Sequence, residues 1–254
     1  MLEIREMYKT YNPGTVTELK LFQYFNLTVE DGQFVSIVGS NGSGKTSLLN
    51  IICGSIAMDS GDVCVDGKSI RRQKNYQRHE TIGRVYQNPA LGTSPNLTML
   101  ENLSLADNKG KRFGLSRGVN HKRIDFYRQE LASLGLGLED KLDIRMGSLS
   151  GGQRQAVALL MATLTPLKFL ILDEHTAALD PKTAETIMAL TGRLVREKGL
   201  TAMMVTHNLR YAVEYGDRLL MLHQGKIVLD RAGQEKEALS TEELLQRFNQ
   251  ISVL

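Results

Sequence analysis

The chain has 254 residues, 42% hydrophobic and 23% charged, enough for one sizeable α/β core carrying a subdomain beneath a well-solvated surface. No apolar run approaches the roughly 20 residues needed to cross a bilayer, and Met1-Leu2-Glu3-Ile4-Arg5 reads as a strand start, not a secretory leader. A net charge of +3 is too modest to single out nucleic acid, and the two cysteines, Cys53 and Cys64, lack metal-binding spacing and are expected to be reduced packing residues.

An antiparallel strand region is expected up to about Glu30, followed by alternating strands and helices. Residues 34–38 form a short apolar run rich in β-branched side chains, predicted as a buried strand. Gly39-Ser40-Asn41-Gly42-Ser43-Gly44-Lys45-Thr46 follows, and Ser47 opens a helical stretch reaching Ile52. A strand over 82–86 ends at Gln87, after which helical patterns take over, notably over 119–134. Basic residues cluster in that stretch: Lys109, Lys111, Arg112, Arg117, Lys122 and Arg123, among Gly110, Gly114 and Gly118. A solvated loop, a nucleic-acid patch and a segment facing anionic headgroups all fit this composition. Leu149-Ser150-Gly151-Gly152-Gln153-Arg154-Gln155 opens another helix. The apolar strand 168–172 then ends on Asp173-Glu174, and Ala178-Leu179-Asp180 turns into a helix with Pro181 in its first turn, running to about Lys198. Strand 201–205 leads to Thr206 and His207, two short strands follow over 218–222 and 226–229, and residues 241–248 read as a terminal capping helix.

The segment from Gly39 to Thr46 matches G-x-x-x-x-G-K-[ST] between a strand and a helix, the setting in which that pattern cradles phosphate. Its glycines let successive amides point at one anion, and the helix N-terminus adds partial positive charge. Lys45 is expected to reach the β- and γ-phosphates, the Thr46 hydroxyl to ligate Mg²⁺, and Ser40, Asn41, Gly42, Ser43, Gly44 and Ser47 to line the same pocket. Asp173 and Glu174 stand at the carboxyl end of a strand buried on both faces, where ligands of parallel sheets collect. There Asp173 is placed to hold Mg²⁺, and Glu174 to orient and deprotonate an attacking water.

The string from Leu149 to Gln155, in order with the phosphate loop, Gln87, the carboxylate strand, the Ala178-Leu179-Asp180 turn and His207, resembles the ATP-binding cassette family over essentially the whole chain. The resemblance implies an α/β fold: a P-loop nucleotidase core with a mixed sheet, an N-terminal antiparallel β region and an inserted α-helical subdomain. It implies a single ATP-binding domain over 1–254, with 1–87 and 162–254 as the nucleotide-binding core and 88–161 as the helical subdomain. It implies an ATPase using ATP and Mg²⁺, with Gln87 sensing the metal and the γ-phosphate, and His207 holding the attacking water with Glu174. Ser150, Gly151, Gly152 and Gln153 are then the signature residues that bind the γ-phosphate held by a second copy of the chain, and Asp180 approaches that copy's phosphate loop. Tyr11 resembles the aromatic that stacks on adenine, with Tyr8 as the competing candidate. His175, where many relatives carry Pro or Ser, is read as a neutral spacer.

By the same resemblance the chain is a stand-alone subunit that dimerises around ATP, sits on the cytoplasmic face of the membrane and works through integral permease subunits. The strings at 86–95 and 173–184 resemble ATPases that accompany permeases of the branched-chain and aromatic amino acid type. That points to import of an amino acid or similar small solute, served indirectly by an extracellular binding protein. An exporter subunit and a soluble cassette acting on ribosomes or DNA are the alternatives, although no nucleic acid is expected as partner. The surface around Leu91, Leu97, Thr98, Met99, Leu100 and Glu101 is open to two readings, a permease docking site or packing of the helical subdomain.

Overall fold

The computed structural model describes residues 1–111 and 118–252, built as two sheets with helices packed between and outside them. Strands β1 (Leu2–Tyr11) and β2 (Leu19–Val29) pair antiparallel, and β4 (Ser60–Val65) and β5 (Lys68–Ser69) extend that sheet in the order β2-β1-β4-β5. The second sheet runs β10-β9-β3-β8-β7-β6. It comprises β3 (Phe34–Gly39), β6 (Ile82–Val85), β7 (Phe169–Asp173), β8 (Ala202–Val205), β9 (Arg218–His223) and β10 (Lys226–Ala232). All its neighbours pair parallel except the β9–β10 hairpin. The carboxyl ends of β3, β7 and β8 therefore lie along one edge, and β3 sits where the chain order departs to either side.

Strand β7 shows why its continuous apolar run is needed. Phe169 and Ile171 face one way, into a core shared with Leu2, Phe22, Leu48 and Ile52, while Leu170 and Leu172 face a second core containing Met99, Tyr127, Val157 and Met188. The first core is closed by the antiparallel sheet and by α1 (Lys45–Cys53). The buried Arg78, on the short α2 (Asn75–Arg78), seals the far end of α1: its Nη1 donates to Ile51 O at 2.7 Å and Ile52 O at 3.0 Å. A cation at a helix C-terminus both satisfies orphan carbonyls and opposes the helix dipole.

The second core is covered by α3 (Met99–Asp107), α4 (Ile124–Ser133), α5 (Gly151–Ala162) and α6 (Pro181–Glu197). Between 88 and 150 the described residues form helices and turns, with a single isolated bridge, Thr98 to Arg145. Met99 and Leu100 are buried there, Leu97 is half-buried and Leu91 is exposed, so Met99 and Leu100 belong to the core. Of the basic segment, Arg112 and Arg117, with Gly114, lie outside the described residues. Lys111 and Arg123 converge on the buried Asp107, at 3.5 and 2.6 Å, where Tyr127 also donates its hydroxyl at 2.9 Å. A third, smaller core joins β3 and β9 to α7 (Leu209–Glu214) and α9 (Thr241–Ser252), with α8 (Gln234–Glu237) between. Cys53 and Cys64 are both buried and unbridged.

Candidate active site

The phosphate loop is held by hydrogen bonds of its own. Gly44 adopts φ 105°, the conformation that turns the chain from β3 into α1. Lys45 is only 5% exposed, and its Nζ donates to Gly39 O at 2.7 Å and to Ser40 O at 3.0 Å. Burial pushes the Lys45 pKa down, while the carboxylates of Glu174 and Asp173 pull it the other way. The loop is also held from outside: at the β9–β10 turn, Gly225 N donates to Ser43 O at 2.9 Å. The Ser43 hydroxyl is buried without a partner among the described residues. A cavity of about 220 Å³ opens here, lined by Tyr11, Leu19, Leu21, residues 41–47, Glu174 and His207.

The acidic residues arrive from β7. Glu174, at φ 47°, is a non-glycine residue in the left-handed region, held there by its N–H donating to Val205 O at 2.9 Å. Its Oε1 lies 2.7 Å from Nε2 of His207, which follows β8. Asp173 Oδ2 accepts from Arg84 Nη2 at 2.6 Å, and Arg84 Nη1 donates to Asn50 Oδ1 at 2.8 Å. His175 turns away from the site and is buried, with Nε2 3.0 Å from Thr191 Oγ1. Because the Thr191 hydroxyl donates to Ile187 O at 2.8 Å, the His175 Nε2 carries the proton. Burial pushes the His175 pKa down to about 4. The contact with Thr191 anchors the end of β7 to α6, so His175 does more than fill space.

The structure brings some of the expected residues together and leaves others apart. Tyr11 lines the cavity and donates its hydroxyl to Ser47 Oγ at 3.0 Å, whereas Tyr8 packs edge-on against Tyr24 at 4.6 Å between ring centroids. Gln87 is exposed just beyond β6 and is not among the residues lining the cavity. Ser150 caps α5: its Oγ accepts from Gln153 N and Gln153 Oε1 accepts from Ser150 N, both at 3.2 Å. Gly151, Gly152 and Gln153 follow at that helix N-terminus, and none of the four lines the cavity of its own chain. Asp180 caps α6, accepting from Thr183 N at 3.1 Å, and hydrogen bonds from Thr183 hold its carboxyl below the usual range. Sequence reasoning missed Arg84 and Asn50, and gave no separate role to the buried Gln155, whose Nε2 donates to Tyr86 O at 3.1 Å. Only the polarity of Arg84 in an apolar strand, and of Asn50 among Leu48, Leu49, Ile51 and Ile52, marked them.

The donor set suits a magnesium nucleotide. Buried amides, an ammonium and an orphaned hydroxyl converge on an open cavity. The hydroxyl of Thr46 and the carboxylate of Asp173 are hard oxygen donors of the kind Mg²⁺ takes sparingly, completing its shell with phosphate and water. No three His, Cys, Asp or Glu side chains cluster into a metal cage among the described residues, and no described helix is long and apolar enough to cross a membrane.

A family model described as ABC transporter matches residues 22–177. A tyrosine transport ATP-binding protein of Clostridioides difficile is 47% identical over 248 residues, covering 98% of each chain. A thiamine import ATP-binding protein of Vibrio parahaemolyticus is 36% identical over 242 residues, 95% of this chain and 94% of that one. Among solved structures, a dimeric post-hydrolysis state of an ATP-binding cassette bound to ADP and Pi superposes with a TM-score of 0.77 at 31% identity, covering 91% of this chain and 98% of that chain.

Proposed function

The chain belongs to the ATP-binding cassette transporter family and is a transporter ATPase, and from that premise we propose how its residues divide the work. The observation that carries the proposal is the 2.7 Å contact between His207 and Glu174 at the mouth of the cavity lined by the phosphate loop. Tyr11 stacks on the adenine of ATP, while the amides of residues 39–47 and the Lys45 ammonium hold its phosphates. Thr46, Asp173 and Gln87 are the residues that would hold Mg²⁺, which would neutralise phosphate charge during transfer. Glu174 accepts the proton of the water that attacks the γ-phosphorus, ADP departs, and His207 fixes both Glu174 and the phosphate being released.

Ser150, Gly151, Gly152 and Gln153 lie outside their own chain's cavity, which supports a site completed by a second copy in two-fold contact, with Asp180 near the same interface. The dimeric relative supports the same arrangement. Residues 88–161 form the helical subdomain and 1–87 with 162–254 the core. Between them runs a groove of about 480 Å³ beside the exposed Leu91 and Leu105. This groove, not the buried Met99 and Leu100, receives a cytoplasmic segment of a membrane permease. The solute is an amino acid taken up with the help of an extracellular binding protein, a reading supported by the name of the Clostridioides difficile relative; tyrosine is the first to test.

Glu174→Gln tests the core of this reading. In size-exclusion chromatography the variant should elute as a dimer with ATP and as a monomer without it, because binding persists while turnover stops. An ATP-independent elution volume, together with unchanged phosphate release, would remove Glu174 as the base. Uptake by vesicles carrying the subunit with its permease should favour tyrosine over thiamine. Equal uptake of both would refute the solute assignment.

A further inference from the structure

The geometry points to Arg84 as a positioning residue that aims the Asp173 carboxylate at the metal. The inference rests on the reading of Asp173 as a magnesium ligand proposed above. Arg84 lies on β6 beside β7, in register with Ile171, so its side chain must reach along the neighbouring strand to arrive at Asp173. It does so almost out of water: the side chains of Arg84 and Asp173 are 6% and 14% exposed. One arm of the guanidinium donates to Asp173 Oδ2 at 2.6 Å, the other to Asn50 Oδ1 at 2.8 Å, and the Tyr86 ring covers the group at 4.7 Å. Asn50 lies on α1, the helix that begins with Lys45 and Thr46. A single planar group thus fixes the carboxylate relative to the helix that carries the phosphate loop. No donor takes Asp173 Oδ1 among the described residues, which leaves that oxygen to face the metal or its water.

Two effects oppose each other here. The positive charge of Arg84 disfavours a second cation at the same carboxylate. Its grip orders the carboxylate in a nearly dry setting. The grip dominates, because removing one member of a buried ion pair leaves the other uncompensated, and because groups that orient a metal ligand set the metal affinity. The fork matters as well as the charge: an ammonium at this position cannot hold Asp173 and Asn50 in one plane.

The test is titration of the full-length protein with a fluorescent ATP analogue, once with Mg²⁺ and once with EDTA. The quantity read is the factor by which Mg²⁺ tightens binding. Asp173→Asn should abolish that factor, and if it does not, the reading of Asp173 itself fails. Arg84→Met should reduce it by about tenfold or more, the cost typical of losing such a partner, with metal-free affinity within about twofold of wild type. Arg84→Lys should recover part of it. Asn50→Ala, which leaves Arg84 and Asp173 in place and removes only the anchor, should fall between wild type and Arg84→Met, and it carries the comparison if Arg84→Met does not fold. Equal weakening with and without Mg²⁺ would make Arg84 a structural residue only. An unchanged or larger factor in the Arg84 variants, with Asp173→Asn still defective, would overturn the inference and show that the guanidinium opposes the metal.

Discussion

Replacing Gly225 with alanine should damage nucleotide binding from outside the nucleotide site. Gly225 adopts φ 73°, and a Cβ there would lie 1.6 Å from the Leu21 carbonyl oxygen and 2.7 Å from its carbon. The left-handed backbone alone costs an alanine about 1–2 kcal/mol. Backbone atoms cannot swing aside as a side chain can, so the turn must withdraw to reach ordinary contact. That displacement adds overpacking strain of roughly 1–3 kcal/mol and breaks the hydrogen bond to Ser43 O, worth roughly 0.5–1.5 kcal/mol. The expected destabilisation is therefore about 2.5–6.5 kcal/mol by urea unfolding, against which Gly67→Ala supplies the control. Gly67 has nearly the same φ, 72°, with nothing within 4 Å of its Cβ position, and should lose only the backbone share of about 1–2 kcal/mol. ATP affinity should fall in Gly225→Ala, because the phosphate loop loses its external tie, and stay at the wild-type value in Gly67→Ala. Equal destabilisation of the two variants, or intact ATP binding in Gly225→Ala, would show that the turn does not brace the loop.

Three further outcomes are expected. Lys45→Ala should lose ATP affinity in a fluorescent-nucleotide titration, whereas Glu174→Gln should bind normally and lose roughly 10²–10⁴-fold in phosphate release, the usual worth of a general base. Arg78→Met should destabilise by about 3 kcal/mol in urea unfolding, since it strips the end of α1 of charge-assisted bonds, and Arg78→Lys should recover part of this. Leu91→Asp should keep the fold and ATP binding but lose transport in the assembled complex, whereas Met99→Asp, a charge at a fully buried position, should fail to fold, as circular dichroism would show.

The contiguous parts of the site were legible because local chemistry dictates them. A strand, a glycine-rich turn, a lysine and a helix must follow one another to cradle phosphate, and they do so from Phe34 to Cys53. The Ser150–Gln153 pair was readable as a helix start because its two bonds close within four residues. What escaped was whatever depends on distant pairing. Arg84 meets Asn50 across 34 positions and Asp173 across 89, and nothing in the identity of one residue announces the other two. His175 escaped for a related reason: its partner Thr191 sits on the inner face of α6, visible only once the helix has packed. Tyr8 stood as a competitor to Tyr11 because β1 carries register shifts that defeat simple alternation. The two readings of the stretch around Met99 stayed open because apolar residues serve a groove and a core equally well.

The ammonium of Lys45 carries three N–H bonds and no lone pair. Two of the three are already spent on Gly39 O and Ser40 O within its own loop. In the role proposed for Lys45, a phosphate would meet the remaining N–H of a nitrogen held by the loop's own carbonyls. Under that proposal the anion would not wait for a flexible side chain to find it, because most of the ordering entropy of the contact is surrendered on folding. Arginine at the same position would keep the charge but bring a wide planar fork where the loop has shaped two carbonyls around one small tetrahedral nitrogen. The geometry of the loop thus selects lysine.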